Sequence, residues 1–192
     1  MEQLKAHPTL GACGLDCGLC PRYYTVGPSR CPGCGGPGFF DKHPSCSFLT
    51  CCVKRRGLEA CGQCPEFPCA KFRSEEEHRQ RESSSYPPDR KVLLNSRFIK
   101  EKGLKPFLRQ QETRIGLLET MIAGWDDGRS RSFFCRAAAL LDPRAVKRAL
   151  AEAKKTMGAG CGAGATSDRA KVLRGLLTEA AHRAEIDLAA RK

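Results

Sequence analysis

The stretch CGLDCGLCPRYY at 13–24 opens a cysteine-rich region that ends with CGQCPEFPCAKF at 61–72. Eleven of the thirteen cysteines in the chain lie between residues 13 and 69. Three pairs have the spacing Cys-x-x-Cys: Cys17/Cys20, Cys31/Cys34 and Cys61/Cys64. Two thiolates that share one metal ion must lie close together, and a tight turn with two intervening residues brings them there. Three such pairs in one short region predict bound metal.

A disulfide framework is the alternative interpretation of so many cysteines. Such frameworks belong to secreted chains, whose precursors begin with a signal peptide. The first residues, MEQLKAHPTLGACGLD, lack the apolar stretch of a signal peptide, and no run in the chain is apolar for long enough to span a membrane. We therefore expect a cytoplasmic protein with reduced thiols and no membrane partner.

The composition predicts a basic protein of one domain or two small ones. The 192 residues include 33 Lys/Arg and 21 Asp/Glu, which gives a formal net charge of +12. A basic surface attracts nucleic acids and acidic partners by electrostatic forces that do not depend on sequence. Because the chain contains no aromatic-rich stacking strand and no recognised DNA-reading motif, nucleic acid is weakly supported and an unidentified protein partner is favoured.

The chain divides at changes in composition. Residues 1–72 form the predicted metal-binding domain, in which recurring Gly and Pro favour short knuckles, loops and one or two short helices. Residues 73–91, RSEEEHRQRESSSYPPDRK, are charged and predict a linker. Residues 92–192 have helical periodicity. The predicted fold class is α+β, mostly α: an irregular cysteine-rich domain followed by a small α-helical bundle.

Aromatic side chains are expected to cover the metal region, where metal binding would replace the large apolar core that so small a unit cannot build. They are Tyr23, Tyr24, Phe39, Phe40, Phe48, Phe67 and Phe72.

Capping and turn residues predict the helices of the C-terminal half. One helix runs from Val92 to Lys102, and the next ends near Trp125. Ser130 or Ser132 caps a third helix, which includes Phe133 and Leu140. Asp142-Pro143 starts a fourth helix that ends near Met157, and Ser167 or Asp168 caps the last. The residues expected to face inward on the second and last helices are Leu108, Ile115, Leu118, Ile122 and Trp125, and Val172, Leu173, Leu176, Leu177, Ala180, Ala181 and Ala184.

The cysteine motifs resemble a cysteine-rich prokaryotic family, the domain of unknown function 3795, which is often labelled zinc-binding. NSRFIKEKGLKPFLRQQETR at 95–114 and DGRSRSFFCRAAALL at 127–141 are similar to the helical tail of longer members, so the resemblance covers nearly the whole chain. It implies no established reaction. The family cysteines map onto Cys13, Cys17, Cys20, Cys31, Cys34, Cys46, Cys51, Cys61, Cys64 and Cys69.

These thiolates suit two or three zinc ions, and an iron–sulfur cluster is the alternative cofactor. Zinc would make the region a structural binding or adaptor module, whereas a cluster would make it an electron-transfer protein or an accessory to an anaerobic enzyme. An enzyme with an open metal site or a spare reactive thiol is less favoured. Cys52 is interpreted as an extra thiol and His43 as a loop residue, although either could complete a site. Lys54-Arg55-Arg56 is interpreted as a solvated turn.

Overall fold

The computed structural model describes residues 3–43, 45–72, 91–157 and 166–189. Over these ranges the chain is mostly helical, which confirms the predicted class, and Leu10 and Asp16 form an isolated antiparallel bridge. None of the described helices is both long enough and apolar enough to cross a lipid bilayer. The α-helices are α1 (Phe39–Lys42), α2 (Ser47–Leu49), α3 (Val92–Lys102), α4 (Leu104–Trp125), α5 (Arg131–Leu140), α6 (Pro143–Met157) and α7 (Thr166–Arg183).

The cysteine-rich region is built from tight helical turns. Short 3-10 helices span Cys17–Leu19, Pro21–Tyr24 and Cys61–Gln63. Helix α2 continues directly into a π-helix, Thr50–Arg55. Wide π-turns are rare and are frequent at functional sites, which draws attention to Cys51 and Cys52 on this one.

Contacts divide the structure into two compact units, one ending at Gln111 and the other beginning at Glu112. Helix α3 and the beginning of α4 therefore belong to the same unit as the cysteines. The predicted domains at 1–72 and 92–192 stay a prediction, because almost all of the predicted linker, 73–91, lies outside the described residues.

Aromatic side chains form the core of the first unit, as expected. Ring centroids of Phe72 lie 5.1 Å from Phe48 and 4.8 Å from Phe67. Three of the predicted aromatics lie outside this core: Phe40 is exposed, and Tyr23 and Tyr24 are half-buried. The buried members of this core are Ala12, Cys34, Phe39, Phe48, Leu49, Cys52, Phe67, Phe72 and Val92.

Helix α3 packs closely on the 3-10 turn at Cys61–Gln63. A Cβ atom on Gly62 would lie 2.4 Å from the carbonyl oxygen of Ser96 and 2.8 Å from the Cβ of Ile99. Both atoms belong to α3 and cannot move without moving the helix. Only glycine therefore allows the turn that carries Cys61 and Cys64 to approach α3 this closely.

Gly62→Ala is expected to destabilise the first unit by about 1–3 kcal/mol, the usual cost of overpacking a core. Gly116→Ala is a matched control on the exposed side of α4, where a new Cβ would meet nothing within 4 Å. There the same substitution is expected to stabilise by about 0.4–1 kcal/mol because alanine restricts the unfolded chain. Urea unfolding measures both variants. Equal effects of the two substitutions would contradict the close packing at Gly62.

Local signals predicted the C-terminal helices well. Helix α3 ends before Gly103, which has a φ of 90°, and the Asp142 carboxylate accepts a 2.7 Å hydrogen bond from the backbone N–H of Arg144 at the start of α6. Two details were wrong. Helix α7 begins at Thr166, before the predicted caps, and Ala184 is exposed beyond its end.

The buried stripe of α4 differs by about one position from the predicted one. Leu118 and Trp125 are buried as expected, but Met121 is fully buried in place of Ile122, which is half-buried. The buried stripe is Phe107, Gln111, Leu118, Met121 and Trp125. Gln111, a polar residue in this stripe, has a partner in the cysteine-rich region, and sequence periodicity cannot reveal that.

Candidate metal centre

Two of the three Cys-x-x-Cys pairs have the same local geometry. The backbone N–H of Cys20 donates to the carbonyl of Cys17 over 3.1 Å, and that of Cys64 donates to Cys61 over 2.9 Å. Each pair thus closes a 3-10 turn, in which residues three apart lie one above the other. The two sulfurs of each pair therefore lie on one side of the turn, as two ligands of one ion require.

The third pair, Cys31/Cys34, is placed by contacts outside its own turn. Gly33 has a φ of 83°, and a Cβ there would lie 2.4 Å from the carbonyl oxygen of Pro8. The backbone N–H of Cys34 donates to that same oxygen over 2.8 Å. The glycine lets this turn lie directly against the N-terminal segment.

A first group of thiols surrounds Cys17. Burial raises the pKa of the Cys17 thiol well above its usual value, and the neighbouring thiolates raise it further. Loss of several protons from one group of largely buried thiols requires a cation among them. The neighbours of Cys17 are Cys34, Cys13, Cys20 and Cys31.

A second group of thiols lines a cavity of about 30 Å³. The rings of Phe48, Phe67 and Phe72 and the charged side chains of Arg56, Glu66 and Lys71 complete its wall. Cys52 belongs to this group, since a sulfur contact with Cys61 lowers the pKa of Cys52 and raises that of Cys61. Its interpretation as an extra thiol missed this placement. The thiols of the cavity are Cys51, Cys52, Cys61, Cys64 and Cys69.

Hydrogen-bond donors reach three of the sulfurs. The backbone N–H of Ala12 donates to Cys34 Sγ over 3.3 Å, and that of Leu49 donates to Cys46 Sγ over 3.4 Å at the beginning of α2. Such bonds favour the thiolate form, which is the form that binds metal. Burial is the main reason that the pKa of the Cys34 thiol is raised. Cys46 lies close enough to raise it further.

The third donor is a guanidinium group that sequence reasoning did not single out. Arg56 Nη1 donates to Cys64 Sγ over 3.2 Å, and Nη2 pairs with Glu66 Oε1 over 2.7 Å. Lys54, Arg55 and Arg56 are all exposed, as expected of a solvated turn, and the contact gives Arg56 an additional role. A positive charge at a ligand sulfur offsets part of the negative charge of a thiolate site.

His43 lies beside the first group. Its Nε2 is 3.4 Å from Cys31 Sγ, and its ring stacks on Phe39 with centroids 4.7 Å apart. Burial lowers the pKa of the imidazole and the nearby charge of Arg22 lowers it further, so the neutral form is favoured.

A buried polar network fixes the loop between Cys13 and Cys17. The Asp16 carboxylate is buried and accepts one 3.0 Å hydrogen bond from Asn95 Nδ2 and one from Gln111 Nε2. Asn95 Nδ2 also donates to the carbonyl of Gly14 over 2.8 Å. Helices α3 and α4 thus hold the loop between these two cysteines, although neither helix carries a cysteine.

A buried ion pair supports the same region. The Lys5 side chain has no exposed surface; its Nζ lies 3.5 Å from Glu59 Oε2 and also donates to the carbonyl of Glu59. The carboxylate accepts backbone N–H groups from Ala6 over 2.8 Å and from His7 over 3.1 Å. The charge of Lys5 acts to lower the pKa of both Cys34 and Cys52. For Cys34 burial has the larger effect, so the pKa of that thiol is raised overall.

The predicted ligands therefore gather in one unit, but the described residues contain no group of three or more His, Cys, Asp or Glu side chains placed to hold a metal ion. Their sulfurs instead contact N–H groups, Arg56, His43 and one another. No disulfide joins the described cysteines. The donor chemistry fits zinc or iron–sulfur, since both accept thiolates. Outside this unit Cys135 is fully buried, and Cys161 lies outside the described residues.

Comparison with known proteins finds a match for the cysteine-rich region alone. Residues 9–74 match the family described as Protein of unknown function (DUF3795). The match spans about a third of the chain, so the expected coverage of nearly the whole chain is wrong. No curated protein and no solved structure matches the chain. The cysteine set and this match are compatible with metal binding. The similarity to this family is therefore confined to residues 9–74.

Proposed function

We propose that the cysteine-rich unit binds two or three zinc ions through thiolates, and that the metal is the structural core of a binding module. In the reducing cytoplasm, where we place the protein, the thiols stay available for metal. The convergence of five thiols on one small cavity carries the proposal. Packing alone does not account for five thiols at one cavity, because apolar side chains would fill the same space.

The size of the cavity favours a single ion over a cluster. About 30 Å³ holds roughly one water-sized body. A cluster of several irons and sulfides needs more room than that. The alternative, an iron–sulfur protein in electron transfer, would need a wider cavity than this one.

The lining of the cavity favours a structural role. Catalytic zinc keeps one position open to water and commonly has nitrogen or oxygen ligands. Here five thiols line the cavity, and the carboxylate of Glu66, which also lines it, is paired with Arg56. A module held together in this way presents its surface to a partner, and we propose a protein partner. The formal charge of +12 favours an acidic one.

Metal content tests the proposal. Protein purified without oxygen is analysed for zinc, iron and acid-labile sulfide, and its visible spectrum is recorded. The expected result is two or three zinc ions per chain and a colourless solution. Iron with matching sulfide and a brown colour would replace the proposal with the iron–sulfur alternative, and protein without metal would reject both.

A further inference from the structure

We propose that His43 is a metal ligand, binding through Nε2 to the same ion as Cys31. The inference deepens the proposed function and depends on it. It assigns a site with both sulfur and nitrogen ligands to the first thiol group, whereas the second group consists of thiols.

The separation of the two donor atoms is that of neighbouring ligands. Zinc lies about 2.3 Å from sulfur and about 2.0–2.1 Å from nitrogen, so at a tetrahedral angle the two ligand atoms are about 3.5–3.6 Å apart. Cys31 Sγ and His43 Nε2 are 3.4 Å apart. An ion can therefore bind both atoms with almost no movement of either side chain.

The local fold holds the imidazole in this orientation. The His43 ring stacks on Phe39 at an interplanar angle of 24°, and Phe39 is itself buried in the core. The backbone N–H of His43 donates to the Phe39 carbonyl over 2.9 Å and closes α1. The ring stacking and the backbone hydrogen bond together orient Nε2 toward the sulfur. They restrict an imidazole that would be mobile in an ordinary loop.

The remaining ligands are close at hand. Cys31 is an electrostatic neighbour of Cys17, as are Cys20 and Cys34. The backbone N–H of Cys31 is bonded over 2.9 Å to the carbonyl of Arg22, so the loop after the first knuckle fixes its position. The described residues hold no group of three such side chains placed for an ion, so two further thiols from these knuckles must move toward Cys31 and His43 to complete a tetrahedral site.

Two substitutions test the assignment. His43→Phe keeps an aromatic ring on Phe39 but removes the nitrogen, and His7→Ala is a control elsewhere in the same unit. Zinc per chain and chelator competition are measured for each, together with the visible bands of the cobalt(II)-substituted protein. His43→Phe is expected to lose one ion per chain or to weaken one site by about 100-fold or more, since even residues behind the ligands cost 10–100-fold. Its cobalt bands should shift, and His7→Ala should match wild type.

The wild-type protein provides a readout that does not depend on how the variant folds. Nitrogen-15 spectra of the zinc-loaded chain should show one imidazole with a metal-bound Nε2 and a protonated Nδ1. Wild-type zinc content with no such imidazole, or unchanged cobalt bands in His43→Phe, would overturn the assignment of His43 and leave the proposed function standing. A wild-type chain without metal would reject the proposed function itself.

Discussion

Replacing Cys34 with serine is expected to remove metal and unfold much of residues 13–72. Cys34 is buried, accepts the backbone N–H of Ala12 and neighbours Cys17, so it belongs to the first thiol group and to the apolar core at once. Structural zinc contributes about 10–16 kcal/mol to folding in zinc-finger peptides. That is comparable with the whole stability of an ordinary domain, about 5–15 kcal/mol. Zinc per chain and resistance to proteolysis measure the effect.

Cys135→Ser is the matched control for this variant. Cys135 is fully buried in the second unit, where it packs in α5. The Cys135→Ser substitution should lower the stability of the second unit without changing the number of bound ions. Wild-type metal content and unchanged protease resistance in Cys34→Ser would count against a metal-held fold.

Glu59→Ala is expected to destabilise the first unit by about 1–3 kcal/mol, because it leaves the buried ammonium of Lys5 without its half-buried counter-ion. The backbone N–H groups of Ala6 and His7 lose their acceptor as well. Burial raises the pKa of Glu59, but these bonds and Lys5 outweigh burial and lower it overall. The stabilisation from Glu59 is therefore present above the pKa of the unfolded chain and is lost as pH falls through the lower pKa of the folded one.

Urea unfolding at neutral and acidic pH measures this contribution. The double variant Lys5→Met with Glu59→Gln removes both charges and keeps most of the volume, so it should cost less than Glu59→Ala alone. Ordinary surface substitutions change the free energy of unfolding by no more than about 0.5 kcal/mol. A change this small in Glu59→Ala would show that Lys5 does not depend on the ion pair.

The sequence predicted best what is decided locally. The ends of α3 and α6 follow from Gly103 and from Asp142-Pro143, because a cap acts on its own turn. The Cys-x-x-Cys spacing likewise predicted turns that place two sulfurs together, since only two residues intervene.

Contacts between distant residues account for what was missed. Asp16 and Gln111 are 95 positions apart, and a buried glutamine in an apolar stripe has no signature that periodicity can detect. Arg56 lies in a basic run that resembles any solvated turn until Cys64 is placed against it. Cys52 follows Cys51 directly, and only the π-helix shows how both neighbouring thiols reach one cavity.

X-ray absorption at the metal edge tests most directly the claim that cysteine sulfurs hold the metal. For the zinc-loaded protein we predict a first shell dominated by sulfur at about 2.3 Å, with a minor nitrogen contribution at about 2.0–2.1 Å. A first shell of oxygen and nitrogen alone would contradict the account, because the thiols gathered around Cys17 and around the cavity would then have no part in binding the ion.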